Sequence, residues 1–184
     1  MQKVLLATVP GILVLTWFFG FGTLVNIAWG CLVALGCEAL ALKLRGRPIG
    51  FYLSDYSALV TATLLCIALP PYSPWWLIVV GIASSILLAK HLYGGLGYNP
   101  FNPAMAGYVI LLISFPVQMT SWAPPRGMGD TPGLLQALQA CFLPGTFDGA
   151  TMATPLDVMR QNNSLLMEDL WVQNPQFGRW AGVG

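Results

Sequence analysis

About five long apolar runs, parted by short stretches of glycine, proline and charge, constrain this chain more than any other feature of its sequence. They cover residues 4–19, 24–42, 58–69, 75–89 and 104–119. A backbone inside lipid has no water to bond, so each run can satisfy its N–H and C=O groups only by coiling into a helix. Composition agrees: 56% of the 184 residues are hydrophobic and 8% are charged, against roughly 25% charged in soluble domains. The expected fold class is therefore an all-α membrane protein of about five transmembrane or half-spanning helices. The third run, at about 12 residues and 1.5 Å each, reaches only about 18 Å of a roughly 30 Å hydrocarbon core. Short spans of this kind are tolerated where protein or a cavity surrounds them, and in transporters they mark binding sites. The first run reads as a retained helix, because Lys3 is a meagre basic start and no small-residue cleavage site follows Phe19.

Charge gives the orientation. Residues 1–122 carry few charged side chains, whereas the stretch from Ala123 onward holds Asp130, Asp148, Asp157, Glu168 and Asp169 beside three arginines. A net charge of +1 without a basic patch offers nothing to a nucleic acid. Lys43, Arg45 and Arg47 follow the second run, and Lys90 with His91 follows the fourth, so both loops are expected on the cytoplasmic side. The uncharged loop "PPYSPWW" then lies outside, with Trp75 and Trp76 as interfacial anchors. This divides the chain into a transmembrane domain, 1–122, and an extracytoplasmic segment, 123–184.

Several residues invite chemistry, each beside a plainer use. Cys31, Cys37, Cys66 and Cys141 form no C-x-x-C pair and read as small apolar filler. His91 is the one histidine, too few for a metal site or a triad, and reads as an interfacial cap or anchor. Glu38 lies inside an apolar run, where an ionisable group is costly; it either snorkels toward Lys43 or a neighbour, or serves a function. Asp55 precedes the third run, where a carboxylate suits the positive end of a helix. No catalytic dyad and no metal-ligand set is visible.

The stretch "KHLYGGLGYNPFNPAMAGY", residues 90–108, is more specific. Three glycines and two Asn–Pro steps within the ten residues 94–103 forbid a regular helix there, while Asn102 followed by Pro103 makes a good N-cap and first position for the fifth run. Two readings stand: a structural corner, or a wall against a flat aromatic ligand, with Tyr93, Tyr98 and Phe101 available to stack.

Longer motifs carry a resemblance. "VPGILVLTWFFGFGTLV", "DYSALVTATLLCIALPP", "KHLYGGLGYNPFNPAMAGYVILLISFPVQMTSW" and "ATPLD" together resemble the RnfD family, membrane components of Rnf-type electron transport complexes, which is related to the NqrB component of the sodium-pumping quinone reductase. The resemblance covers essentially the whole chain. It implies a multi-pass protein of the bacterial inner membrane, with a fold like one half of the two-repeat urea transporters and a flavin-bearing segment on the periplasmic side. The complex it implies moves electrons between ferredoxin and NAD, coupled to sodium or proton transport, so the other subunits and the lipid bilayer are the expected partners. It further implies FMN joined through its phosphate, by a flavin transferase, to the last threonine of a Ser/Thr-Gly-Ala-Thr motif. Here the matching residues are Thr151, Met152, Ala153 and Thr154, with methionine in place of the usual glycine, followed by Pro155 and Asp157. Tyr98, Asn99 and Asn102 are the candidates for a cofactor pocket. Family members also have a basic segment before the first span and further helices after the flavin loop, so the chain reads as an N-terminal portion.

The threonine cluster has its own physical reading. Thr154, Pro155 and Asp157 match an N-cap, a first helical position and an acid in the first turn. A helix N-terminus also favours an anion, so a cap and a phosphodiester are compatible there. A rival class, a solute channel half of urea-transporter type with a glycine-lined filter and no flavin, fits the same broken spans; a degenerate chain that has lost its cofactor is a third reading.

Overall fold

The computed structural model describes residues 1–95, 97–126, 132–143 and 160, and these are largely helical. In order they form α1 (Gln2–Phe19), α2 (Gly22–Leu44), α3 (Ile49–Leu53), α4 (Ser57–Ala68), α5 (Trp75–Ala83) continued by a π-helical segment (Ser84–His91), α6 (Pro103–Ser114), α7 (Pro116–Thr120) and α8 (Leu134–Phe142). Among the described residues α1 and α2 are long and apolar enough to cross a membrane. At 1.5 Å per residue α2 spans about 34 Å, a full core, whereas α4 with 12 residues reaches about half that.

α2 is the central post. Gly22, Asn26, Gly30, Ala34, Glu38 and Leu42 recur every fourth residue and are all buried, forming one stripe along the helix. The small members let neighbours come close: a Cβ on Gly30 would strike Cys66 Sγ of α4. Leu65, Leu69, Leu77, Ile78, Ile82 and Leu111 complete the core, each at most 1% exposed.

Three local features differ from the sequence expectations. The fifth run is not one helix to residue 119. It stops at Ser114, because Pro116 has no N–H to give and Phe115 turns to φ −134° and ψ 57° before α7 begins. The fourth run leaves the α form at Ser84. The basic loop after α2 contains a short helix, α3, too brief to show as an apolar period.

Asn102 caps α6 as its position suggests: its Oδ1 accepts from Ala104 N–H at 3.0 Å, with Pro103 next. Gly94 and Gly95, at φ 107° and 109°, adopt a backbone that side-chain-bearing residues rarely take, and they end the helical path after His91.

The helices share two ends of opposite character. At one, Tyr72 Oη donates to Phe19 O at 2.6 Å, Asn26 Nδ2 donates to Pro70 O at 2.8 Å, and the Trp122 ring meets Phe19 edge-on at 6.0 Å. Burial pushes the Tyr72 hydroxyl up to about 12, so it stays a donor. At the other end lie Arg45, Lys90 and His91, where Arg45 Nη1 donates to His91 O at 3.0 Å. The uncharged loop and residues 121–126 after α7 thus lie at one end and Arg45, Lys90 and His91 at the other. α8, inside the stretch expected to be extracytoplasmic, packs along the first half of α2: Ala137 and Cys141 are buried and Phe142 meets Trp29 edge-on at 5.2 Å.

Candidate functional site: a buried ionic cluster and its cleft

The ionic end gathers the charged groups of the apolar runs into one place. Glu38 on α2 is 2% exposed. Lys90 Nζ donates to its Oε1 at 2.8 Å and to Ser57 Oγ, at the start of α4, at 2.7 Å. His91 Nε2 lies 3.1 Å from the other oxygen, Oε2. That contact is close but not an aligned hydrogen bond, since Oε2 and both imidazole nitrogens have no hydrogen-bond partner among the described residues. Three buried polar atoms therefore stand with open valence beside a matched pair of opposite charges.

Two backbone devices make this possible. In the π-helical segment bonds run five residues back, as in Leu92 N to Leu87 O and Gly95 N to Lys90 O, both at 3.0 Å. More residues per turn means a smaller angle between neighbours than the about 100° of an α-helix, so Lys90 and His91 can both face Glu38. The start of α4 is held by Tyr56, whose φ of 61° is left-handed, and by Asp55 Oδ1, which accepts from Ser57 N–H at 2.6 Å. Such a backbone costs about 1–2 kcal/mol for an L-residue. It aims the Ser57 hydroxyl at Lys90.

The cluster floors a cleft of about 590 Å³ lined also by Arg47, Phe51, Tyr52, Asp55, Gly94, Gly95 and Tyr98. Arg47 lies over the Tyr52 ring at 5.5 Å from its centroid. The cleft thus combines aromatic walls, close glycine backbone and a polar floor with unused donors and acceptors, the ordinary composition of a small-molecule site.

The sequence candidates fare as follows. Tyr98 lines the cleft and is 80% exposed. Asn99 and Asn102 spend their amides on backbone instead: Asn99 Oδ1 accepts from Gly97 N–H at 3.2 Å and its Nδ2 donates to Phe101 O at 2.7 Å, while Asn102 is the α6 cap. Thr151, Ala153, Thr154, Pro155 and Asp157 lie outside the described residues. Glu38 does not snorkel toward Lys43; it turns inward to Lys90, because Gly30 lets α4 and α5 come close to α2, which brings Ser57 at the start of α4 and Lys90 at the end of the π-helical continuation of α5 within reach. His91 is buried against that carboxylate rather than placed at an interface. Asp55 supports the start of α4 and also lines the cleft. Ser57 and Asn26 were not singled out from sequence; both are polar residues in or beside apolar runs, and that was the available signal.

The description "NQR2, RnfD, RnfE family" belongs to a family model that matches residues 1–183. The chain belongs to that family. A protein of Ectopseudomonas mendocina, named as the D subunit of an ion-translocating oxidoreductase complex, is 55% identical over 184 residues, covering 100% of this chain and 53% of its own length. A protein of the same name in Cellvibrio japonicus is 50% identical over 189 residues, and one in Escherichia fergusonii 48% over 199 residues; each covers 100% of this chain, and 53% and 56% of their own lengths are matched. The chain spans about half the length of the curated relatives it matches.

Proposed function

We propose that the chain acts as part of the flavin-carrying membrane component of an ion-translocating ferredoxin:NAD oxidoreductase complex. The observation that carries the reading is the 55% identity, over all of this chain, to a protein named as the D subunit of an ion-translocating oxidoreductase complex. In this reading the chain is embedded in the bacterial inner membrane as one half of a urea-transporter-like fold, beside the other subunits. The ionic end faces the cytoplasm, and the segment 123–184 presents its flavin at the periplasmic side.

FMN is the cofactor of this proposal, joined by a flavin transferase to Thr154 through a phosphodiester. When bound it supplies the electron transfer. The chain's own part is to hold it. Thr154 offers the hydroxyl, and the Pro155 and Asp157 that follow it in sequence carry the signature of a helix start, whose N–H groups would suit a phosphate. Tyr98 offers its stacking face in the cleft at the ionic end, away from the side where this reading puts the flavin, so a flavin on Thr154 would not meet it; the amides of Asn99 and Asn102 hold the loop. Buried Glu38 with Lys90 and His91 is the group through which sodium or proton coupling would be felt on this chain. Purified after production with a flavin transferase, the chain should be yellow and should bleach with dithionite. A colourless sample with Thr154 intact would instead support a degenerate chain that has lost its cofactor or a channel half without flavin.

A further inference from the structure

At the end opposite the ionic cluster one cation stands without an acid. Arg126 is anchored by its backbone, whose N–H donates to Phe18 O at 2.7 Å, and its guanidinium lies 4.7 Å over the Trp17 ring. Among the described residues no carboxylate pairs with it. It stands at the mouth of a cleft of about 490 Å³ between α1 and the start of α8, walled by Leu13, Trp17, Phe21 and Gly133.

Beside it, beginning at Leu134 next to Gly133 and at Leu24 one turn after Phe21, lies a second groove between α2 and α8. It has a volume of about 370 Å³, and its walls, Leu24, Ala28, Leu32, Leu134, Leu138 and Phe142 among them, are entirely apolar or aromatic. From Leu24 to Leu32 is about 12 Å along α2, so the groove takes up most of the roughly 15 Å of one leaflet. A wholly apolar groove of this length beside the Arg126 guanidinium has the make-up of a site for an amphiphilic anion, an apolar chain in the groove and an anionic head on the cation.

We propose that Arg126 and the α2–α8 groove form one binding site for an anionic phospholipid, with the headgroup phosphodiester on the guanidinium and one acyl chain along the groove. Stacking on Trp17 fixes the guanidinium plane and leaves its N–H edge free to grip phosphate oxygens. The apolar groove supplies what a free phosphate would not use. Independently of any flavin, the site ties α8, and with it the chain that follows, to α1 and α2.

The test uses the full chain made without flavin transferase, held in detergent, with dioleoyl phosphatidylglycerol or dioleoyl phosphatidylcholine added, and native mass spectrometry to count retained lipid. The wild type should keep one phosphatidylglycerol in preference to phosphatidylcholine. Arg126→Gln should weaken that retention about fivefold, the value of one basic residue at a lipid surface. Ala28→Phe, placed on an exposed wall residue to fill the groove, should reduce retention of both lipids. Arg126 is an exposed side chain on the face of Trp17, so Arg126→Gln leaves the buried core intact and decides the matter even if Ala28→Phe does not fold. Equal phosphatidylglycerol retention by wild type and Arg126→Gln overturns the proposal. So does equal retention joined to a changed flavin spectrum in Arg126→Gln made with the transferase, which would assign the cation to the flavin phosphodiester.

Discussion

Removing Lys90 should do more harm than removing both members of its ion pair. Lys90 and Glu38 are each 2% exposed, with Nζ at 2.8 Å from the carboxylate and 2.7 Å from Ser57 Oγ. Lys90→Met keeps the length of the side chain but leaves a buried carboxylate and a buried hydroxyl without their donor. Breaking a buried pair in this way costs about 3–5 kcal/mol, whereas replacing both partners by apolar groups of similar volume is often neutral. For a chain of this size 1 kcal/mol corresponds to about 2–4 °C in Tm, so Lys90→Met should lower the apparent Tm by about 6–20 °C. The double variant Glu38→Leu with Lys90→Met should recover most of that loss. Circular dichroism melts of wild type, single and double variants in one detergent make the comparison. A single variant whose Tm stays within about 2 °C of wild type, less than 1 kcal/mol is worth, would refute the buried-pair reasoning. So would a double variant no more stable than the single.

Gly107 faces Ser85 Oγ and lies where a Cβ would come to 2.7 Å from Gly81 O, so Gly107→Ala should push α6 off the π-helical segment and cost about 1–3 kcal/mol, read by the same melts. Asn102→Ala should cost about 1 kcal/mol through the lost α6 cap and show as faster hydrogen exchange at Ala104 and Met105. Periplasmic reporters fused after Asp130 should be active and those fused after Arg47 inactive; reversed activities would overturn the orientation drawn from the basic residues.

The spans were legible because lipid leaves a backbone few choices, and the apolar runs alone placed α1, α2, α4 and α5 to within a few residues. The α6 start was legible for a different reason: Asn102–Pro103 is a local signal that needs no tertiary contact. The break at Phe115 was readable in principle from Pro116, but the unbroken hydropathy on either side concealed it. The π-helical turn and the Glu38–Lys90 pair were not legible. Both depend on how closely three helices approach, and residues 52 apart carry no sequence signal of contact. Sequence did pick out Glu38 as costly where it lies; its partner had to come from packing. Arg126 shows the converse, an ordinary loop cation whose stacking on Trp17 depends on the return of the chain to α1.

The central claim, a flavin carried through phosphate on Thr154, is tested most directly by in-gel fluorescence and intact mass of denatured protein made in a host with flavin transferase. The unmutated chain should fluoresce and gain about one FMN minus water. Thr154→Val should lose both signals, while Thr151→Val, with the same hydroxyl deleted three residues earlier, should keep at least part of the label. A labelled Thr154→Val beside an unlabelled Thr151→Val would move the ester to the other threonine, and an unmutated chain that never labels would contradict the account.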